Sequence, residues 1–556
     1  NFCLTKMYKN LNKFSKIITQ DKSQGASQAM LYALNIKDIK KPHIGIGSNW
    51  FESNPCNNHL NILADKVKSN INNNYLPFRF NTIGVSDGIS MGTRGMNYSL
   101  PSREIIADSY ETINMAHSYD ANISIPGCDK NMPGCLMAMI RINRPSFMIY
   151  GGSIKPGLHK GKEIDVVNAF QSYGLYLNNQ INNNERENII KNACNGSGAC
   201  GGMYTANTMA SAIESMGMTL PGSASNPALS VEKFRECEVA GETIEYLMVN
   251  DIKPLDIINK KSIHNAIVTL IALGGSTNAV LHLLAIAKTS NIELNIDDFE
   301  EIGKNVPVLA NLKPHGDYLM FHLHQIGGIN IIMKKLQELG LLYDECLTIN
   351  GKTVKENLEG INHKDIFDSN PDLLKKIKDS SHIKILKGNL APNGAVAKLT
   401  GKEGYYFRGK AIVFNSEQDF IKGLEEKKIK KGNVIVIRFQ GPKAGPGMPE
   451  MLKPTSAIVG YGLEKDVAFI TDGRFSGGSH GFIIGHVSPE AIDNGLIGKV
   501  ENGDIISIDS DLITLEVSEK ELNNRQIDYK EKKLTGYLNK YVKTVSGAEL
   551  GCVTDI

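Results

Sequence analysis

The chain has 556 residues, 41% hydrophobic and 22% charged, with a formal net charge of +2. That length exceeds one hydrophobic core and implies at least two domains. Lys and Arg are spread along the chain with no basic block for nucleic acid, and no apolar run approaches the ~20 residues of a membrane-spanning helix. The nine cysteines are odd in number and scattered, which is no disulfide framework and suits a reducing compartment. The first 20 residues carry Lys but no Arg and no apolar core, so they do not read as a secretory signal. Met7 is an alternative start. The expected location is a bacterial cytoplasm, or an organelle matrix if the source is eukaryotic.

In chain order, residues 21–40 read as helix with a polar lead-in, Ala, Met and Leu falling within 27–34, and His43-Ile44-Gly45-Ile46-Gly47 as a buried strand running into a loop that ends at Cys56. Leu60, Leu63, Ala64 and Val67 recur at helical spacing. A strand is expected over 78–83, followed by the loop 84–92 with Asp87. Ser102 is placed to cap the next helix. Residues 121–125 form a third strand, leading into Pro126-Gly127-Cys128-Asp129-Lys130-Asn131-Met132-Pro133-Gly134. Its prolines and glycines predict a shaped loop. Helix 136–141 and strand 147–150 follow. This β-loop-α repetition predicts a doubly wound parallel sheet, whose ligands bind beyond the carboxyl ends of the strands. Cys56, Asp87 and the Cys128–Asp129–Lys130 triplet each lie just past such an end. They offer soft thiolates and hard carboxylates to one edge, the donor types for a sulfur-ligated and an oxygen-ligated metal.

Residues 192–203 are a glycine loop around Cys200. Gly196, Gly198 and Gly201 match G-x-G-x-x-G, but residues 185–191 do not read as the strand that a dinucleotide site requires. The loop reads better as backbone amides approaching the sulfur of Cys200. Residues 265–345 read as mostly helical. Beyond a composition shift near 366–390 the chain becomes β-rich. Strands are expected at 434–439 and 467–470, each ending in a glycine loop, and at 503–508 and 512–517 as a hairpin or small barrel. Residues 404–410 approach a phosphate-binding loop, but Ala411 stands where Ser or Thr is needed. The expected architecture is α/β, with an N-terminal doubly wound parallel-sheet domain over 1–366 and a C-terminal β-barrel-like domain over 367–556.

Five segments together closely resemble the dihydroxy-acid dehydratases of the iron–sulfur sugar-acid dehydratase superfamily: Asn54-Pro55-Cys56-Asn57, residues 85–92, residues 98–109, residues 126–134, and Thr471-Asp472-Gly473-Arg474-Phe475-Ser476-Gly477-Gly478. The resemblance runs from about residue 20 to the C-terminus. It implies a [2Fe-2S] cluster on Cys56, Cys128 and Cys200, since the Asn-Pro-Cys-Asn cysteine resembles that branch rather than the [4Fe-4S] one. It implies Mg²⁺ on Asp87, Asp129, Glu450 and Lys130, the last as its N6-carboxylated form. Ser476 is then the base that removes the C2 proton of a small dihydroxy acid, cluster iron accepts the C3 hydroxyl, and the products are the 2-keto acids of valine and isoleucine biosynthesis. A homodimer without membrane or nucleic-acid partners is implied as well. Three thiols leave one iron position open for Lewis-acid chemistry, and carboxylates suit Mg²⁺.

Three alternatives compete. A sugar-acid or 6-phosphogluconate dehydratase would use the same superfamily machinery, yet Arg79, Arg94 and Arg103 are scattered rather than clustered for phosphate. An Fe–S electron carrier or redox sensor leaves the acidic set unexplained. An NAD oxidoreductase lacks its strand. Cys135, Cys194, Cys237, Cys346 and Cys552 read as small buried hydrophobes, and the methionine-rich face at 203–218 as core. His480 is a lone loop histidine beside Ser476, and Asp472 reads equally as a turn former or as a support of the site.

Overall fold

The computed structural model describes residues 11–399, 404–479, 481–509 and 511–555. Four strands form one parallel sheet: β1 (His43–Ser48), β2 (Leu76–Asn81), β3 (Ala121–Ile125) and β4 (Ser146–Met148), in the order β2-β1-β3-β4. β1 and β3 are buried at every position, as parallel strands covered by helices must be. Helix α1 (Leu60–Ser69) buries Leu60, Leu63, Ala64 and Val67, the stripe seen in its sequence. Helices α2 (Ser99–Ala116) and α3 (Asn131–Ile142) pack against each other.

Three local expectations shift. β2 starts two residues earlier than its apolar pattern suggested, because Leu76 pairs with His43 at the start of β1. Ser102 lies inside α2 rather than at its cap, and its hydroxyl bonds back to the Ser99 carbonyl at 2.6 Å. The Pro133-Gly134 pair does not hold off a helix, since α3 begins at Asn131. Proline in a first turn forfeits only an N–H that has no helical partner there. Gly134 is needed for close approach, because a Cβ would stand 2.8 Å from the Arg103 carbonyl of α2. Residues 183–192, no strand by sequence, form a helix.

Helices α4 (Thr205–Ser215), α5 (Lys260–Ala272) and α6 (Asn278–Thr289) contribute to the same core. Met203, Met209, Met216 and Met218 are fully buried in it, as the sequence suggested.

The C-terminal region builds an eight-stranded mixed sheet from β5 (Ile383–Leu386), β6 (Gly394–Lys398), β7 (Tyr406–Phe414), β8 (Asn433–Ile437), β9 (Ala468–Thr471), β10 (Phe482–Ser488), β11 (Ile505–Asp509) and β12 (Leu512–Leu515). Its order is β5-β6-β10-β9-β8-β7-β11-β12. It nearly closes into a barrel. Lys387, just past β5, donates to the Asp511 carbonyl at 2.8 Å and accepts from Ile513 N–H at 2.8 Å. The β11–β12 hairpin falls where it was expected. Helix α7 (Lys453–Tyr461) packs beside the barrel. The chain then returns to the first region: Tyr541, Val545 and Cys552 pack against Leu100 and Leu281. Among the described residues no helix is long and apolar enough to cross a membrane.

Candidate active site

The loops after β1 and β3 meet the glycine loop before α4 and two loops of the barrel around one cavity. Its walls include Cys56, Cys128, Cys200, Asp87, Asp129, Glu450 and Ser476. All seven were singled out from sequence, and Lys130 lies directly behind them.

Backbone constraints set the thiols. Asn131, the first residue of α3, folds its side chain back so that Oδ1 accepts from Cys128 N–H at 2.8 Å and from Asn57 Nδ2 at 2.9 Å. Gly127 passes so close to the first loop that a Cβ would lie 2.1 Å from the Cys56 carbonyl oxygen. Gly198 N–H donates to the Pro55 carbonyl at 2.9 Å, and Asn207 Nδ2 donates to the Cys200 carbonyl at 2.8 Å. Cys56 and Cys128 are buried and Cys200 half-buried, and all three are free thiols. Hydrogen bonding to Cys128 and Cys200, reinforced by burial, pushes the Cys56 thiol well above its ordinary pKa. Three thiols within reach of one another resist ionising together unless a cation sits among them, so the donor set fits a thiolate-bound iron cluster.

The carboxylate side is organised differently. Asp87 opens a short helix capped by Ser86 and accepts from Ser99 Oγ at 2.7 Å. Asp87, Asp129 and Glu450 bring oxygens within 4.8 Å of one another. The fully buried Lys130 donates to Asp87, and to Glu450 at 2.8 Å, and stands 3.8 Å from Asp129. Arg474, also fully buried, donates to Glu450 at 2.9 Å and to the Met448 carbonyl at 2.7 Å. Burial pushes Asp129 up to about 7 and raises Asp87. At Glu450 burial acts upward too, but Lys130 and Arg474 prevail and hold it down at about 2. The ammonium of Lys130 thus occupies the place among three oxygens that a metal ion would take. A divalent cation there requires the lysine charge to be removed or reversed, and carboxylation of Nζ would do so. With that change the oxygen donors fit Mg²⁺.

Glu450 and Ser476 are fixed to each other through backbone pairing. Glu450–Met451 runs parallel to Arg474–Phe475, and Ser476 N–H donates to the Met451 carbonyl at 3.1 Å. Gly478 N–H donates to Ser476 Oγ at 3.3 Å.

The remaining sequence expectations divide. Cys135, Cys237, Cys346 and Cys552 are buried. Cys194 is instead exposed and lines the same cavity as the three site cysteines, because the two-residue strand Cys194–Asn195 pairs with Lys155–Pro156 at its rim. Asp472 stays outside the acidic triad. Its carboxylate accepts from the N–H groups of Phe439, Gln440 and Ala491 and ties barrel loops together. His480 lies outside the described residues. Arg79 pairs with Asp65 on the outside, whereas Arg103 is buried against Glu104 and the carbonyls of Gly551 and Cys552. Sequence reasoning did not single out Asn131 or give Arg474 a role. The signals were Asn one residue after a ligand motif and Arg two residues before the candidate serine.

An acidic centre able to hold a metal, in one cavity with a trio of thiols at the junction of a parallel sheet and a barrel, marks the site of an α/β enzyme. Family comparison gives the class. The N-terminal model of the dihydroxy-acid/6-phosphogluconate dehydratases matches residues 41–357 and the C-terminal model residues 372–552. The chain belongs to the dihydroxy-acid/6-phosphogluconate dehydratase family, whose reaction class is hydro-lyase. It is 58% identical over 561 aligned positions to the dihydroxy-acid dehydratase of Francisella tularensis subsp. novicida, covering 99% of this chain and 100% of the relative. It is 56% identical to the mitochondrial dihydroxy-acid dehydratase of Schizosaccharomyces pombe (98% and 94% covered) and 53% identical to the chloroplastic one of Arabidopsis thaliana (98% and 91% covered).

Proposed function

We propose that this chain dehydrates 2,3-dihydroxy-3-methylbutanoate, and 2,3-dihydroxy-3-methylpentanoate, to the 2-keto acids of valine and isoleucine biosynthesis. The carrying observation is the composition of the cavity. Beside the acidic triad, the thiols and Ser476, the lining includes the apolar side chains of Ile89, Met91, Val167, Phe170, Leu319 and Leu452. A branched alkyl group suits those side chains and a polyol does not. Lys155 is the one basic side chain among the described lining residues, too little for a sugar phosphate. The names of the relatives point to the same substrates.

In this reading Cys56, Cys128 and Cys200 hold a [2Fe-2S] cluster, and Asp87, Asp129, Glu450 and N6-carboxylated Lys130 hold Mg²⁺. When bound, these groups supply Lewis acidity toward the substrate's carboxylate and two hydroxyls. Arg474 keeps Glu450 ionised and fixes its direction. Ser476 removes the proton from C2. A serine hydroxyl is a weak base unless its alkoxide is stabilised, and the Gly478 N–H aimed at Oγ does so. The apolar side chains orient the alkyl end and exclude water. The labour divides at residue 366/367: the first region carries the thiols and most carboxylates, and the second carries Glu450 and Ser476. The working form is a homodimer in a bacterial cytoplasm or an organelle matrix.

The test is keto-acid formation by anaerobically purified protein given 2,3-dihydroxyisovalerate and Mg²⁺, with 6-phosphogluconate in parallel. Turnover of the first compound alone is expected. Preference for the second would move the enzyme to sugar-acid metabolism, and activity on neither, with iron and sulfide present, would remove the catalytic reading.

A further inference from the structure

Behind the reaction cavity lies a second, smaller one of ≈ 10 Å³, walled by Ser476, Ser479, Thr277, Lys398, Phe475 and His486 among others. Among the described lining residues, Ser476 is the one common to both cavities. The smaller space is about that of one water molecule. His486 faces it from β10. This histidine is buried, and neither Nδ1 nor Nε2 has a hydrogen-bond partner among the described residues. Two unpartnered ring nitrogens at one buried site are costly, because a lost hydrogen bond forfeits solvation without replacement. His486 also sits at φ +56°, and its backbone N–H donates to the Gly473 carbonyl at 2.8 Å, which ties its backbone to the loop that carries Ser476. Ser479 Oγ is engaged with Thr455 Oγ at 2.8 Å and Lys398 Nζ donates to the Gly477 carbonyl at 3.4 Å, which leaves the hydroxyls of Ser476 and Thr277 and the ring of His486 to face a water there.

We propose that His486 is a positioning residue for Ser476. Through one water held in the rear cavity, its imidazole draws the hydrogen of the Ser476 hydroxyl backwards and leaves an Oγ lone pair facing the substrate. Burial keeps the imidazole neutral, so one ring nitrogen is free to accept. No bond is made or broken at His486. The inference rests on the reading of Ser476 as the base.

The test compares four forms of the holoenzyme on 2,3-dihydroxyisovalerate and its C2-deuterated form: wild type, Ser476→Ala, His486→Phe and His486→Asn. His486→Phe should lower kcat about tenfold, the worth of one well-placed hydrogen bond, leave KM within about twofold, and enlarge the deuterium isotope effect. Asn tolerates left-handed backbone and keeps a polar group at the cavity, so His486→Asn should recover most of kcat. If Phe is not accommodated, Thr277→Val on the opposite wall should show a smaller loss with the same isotope signature. A loss of kcat with an unchanged isotope effect and no recovery by Asn would mark a merely structural role and overturn the inference. So would a wild-type kcat in His486→Phe while Ser476→Ala is inactive, a result that leaves the serine reading standing. Activity retained in Ser476→Ala would instead remove that reading and the inference with it.

Discussion

The thiol half and the carboxylate half of the site solve the same problem in opposite ways. Both gather groups that repel one another when ionised. The carboxylates come with two buried counter-charges of the chain's own, Lys130 and Arg474, bonded to them at both ends. Among the described residues no lysine or arginine donates to the thiols, and hydrogen bonding to Cys128 and Cys200, with burial, holds the Cys56 proton tightly. The acidic half is therefore assembled around the chain's own cations. The thiol half is assembled by close glycine approaches and by hydrogen bonds to its backbone, two of them made by the Asn131 and Asn207 side chains. Pre-organisation by backbone packing and hydrogen bonding and pre-organisation by charge are separable devices, and the molecule uses one for each set of ligands in a single cavity.

That contrast breaks most visibly at the thiols. Cys128→Ser should abolish cluster binding, read as loss of iron, sulfide and the visible absorption of the anaerobically prepared protein, while thermal stability changes little. Cys194→Ser should retain all three, although Cys194 lines the same cavity. Equal loss in both variants would mean that the three-thiol assignment is wrong. On the carboxylate side the expected failure is in folding rather than loading. Arg474→Met leaves Glu450 with one buried partner fewer and orphans the Met448 carbonyl. Removing one member of a buried ion pair costs about 3–5 kcal/mol, to be measured by urea unfolding. A loss below about 1 kcal/mol would show that Lys130 alone suffices.

Much of the first region was legible in the sequence because its signals are local. Apolar runs mark β1 and β3, the Leu60–Val67 spacing marks α1, and the candidate ligands sit at strand ends, where a parallel sheet collects them. What escaped depended on partners distant in the chain. The Pro133-Gly134 pair reads as a helix stop until Arg103 of α2 supplies the close packing that Gly134 permits. Cys194 reads as core until Pro156 pairs with it at the cavity rim. Arg474 and His486 are single residues whose importance lies in what surrounds them, Glu450 and the Met448 carbonyl in one case and a rear cavity in the other. The barrel's strands were legible as β, whereas its mixed strand order and near closure through Lys387 are properties of register that no short window carries.

A pH-dependent effect tests whether the site's charge management extends into the barrel. There, Glu490 is buried and accepts from the N–H groups of Lys443 and Ala444, both at 2.9 Å, with no cation bonded to it among the described residues. Burial, aided by the nearby Asp472, pushes it up to about 8 despite those two donors. The sign follows from linkage. In the unfolded chain this carboxyl ionises near its ordinary value of 4.5. Between there and about 8 the folded protein holds the extra proton, so stability falls as pH rises. The slope from one such group is at most about 1.4 kcal/mol per pH unit, and the loss is complete above about 8. Glu490→Gln keeps an acceptor and cannot ionise, so its urea unfolding free energy should gain on the wild type steadily from pH 5 to pH 8 and run parallel beyond. A constant difference across that range would mean that Glu490 is ionised throughout, and that the Lys443 and Ala444 amides compensate its charge as fully as Lys130 and Arg474 do for Glu450.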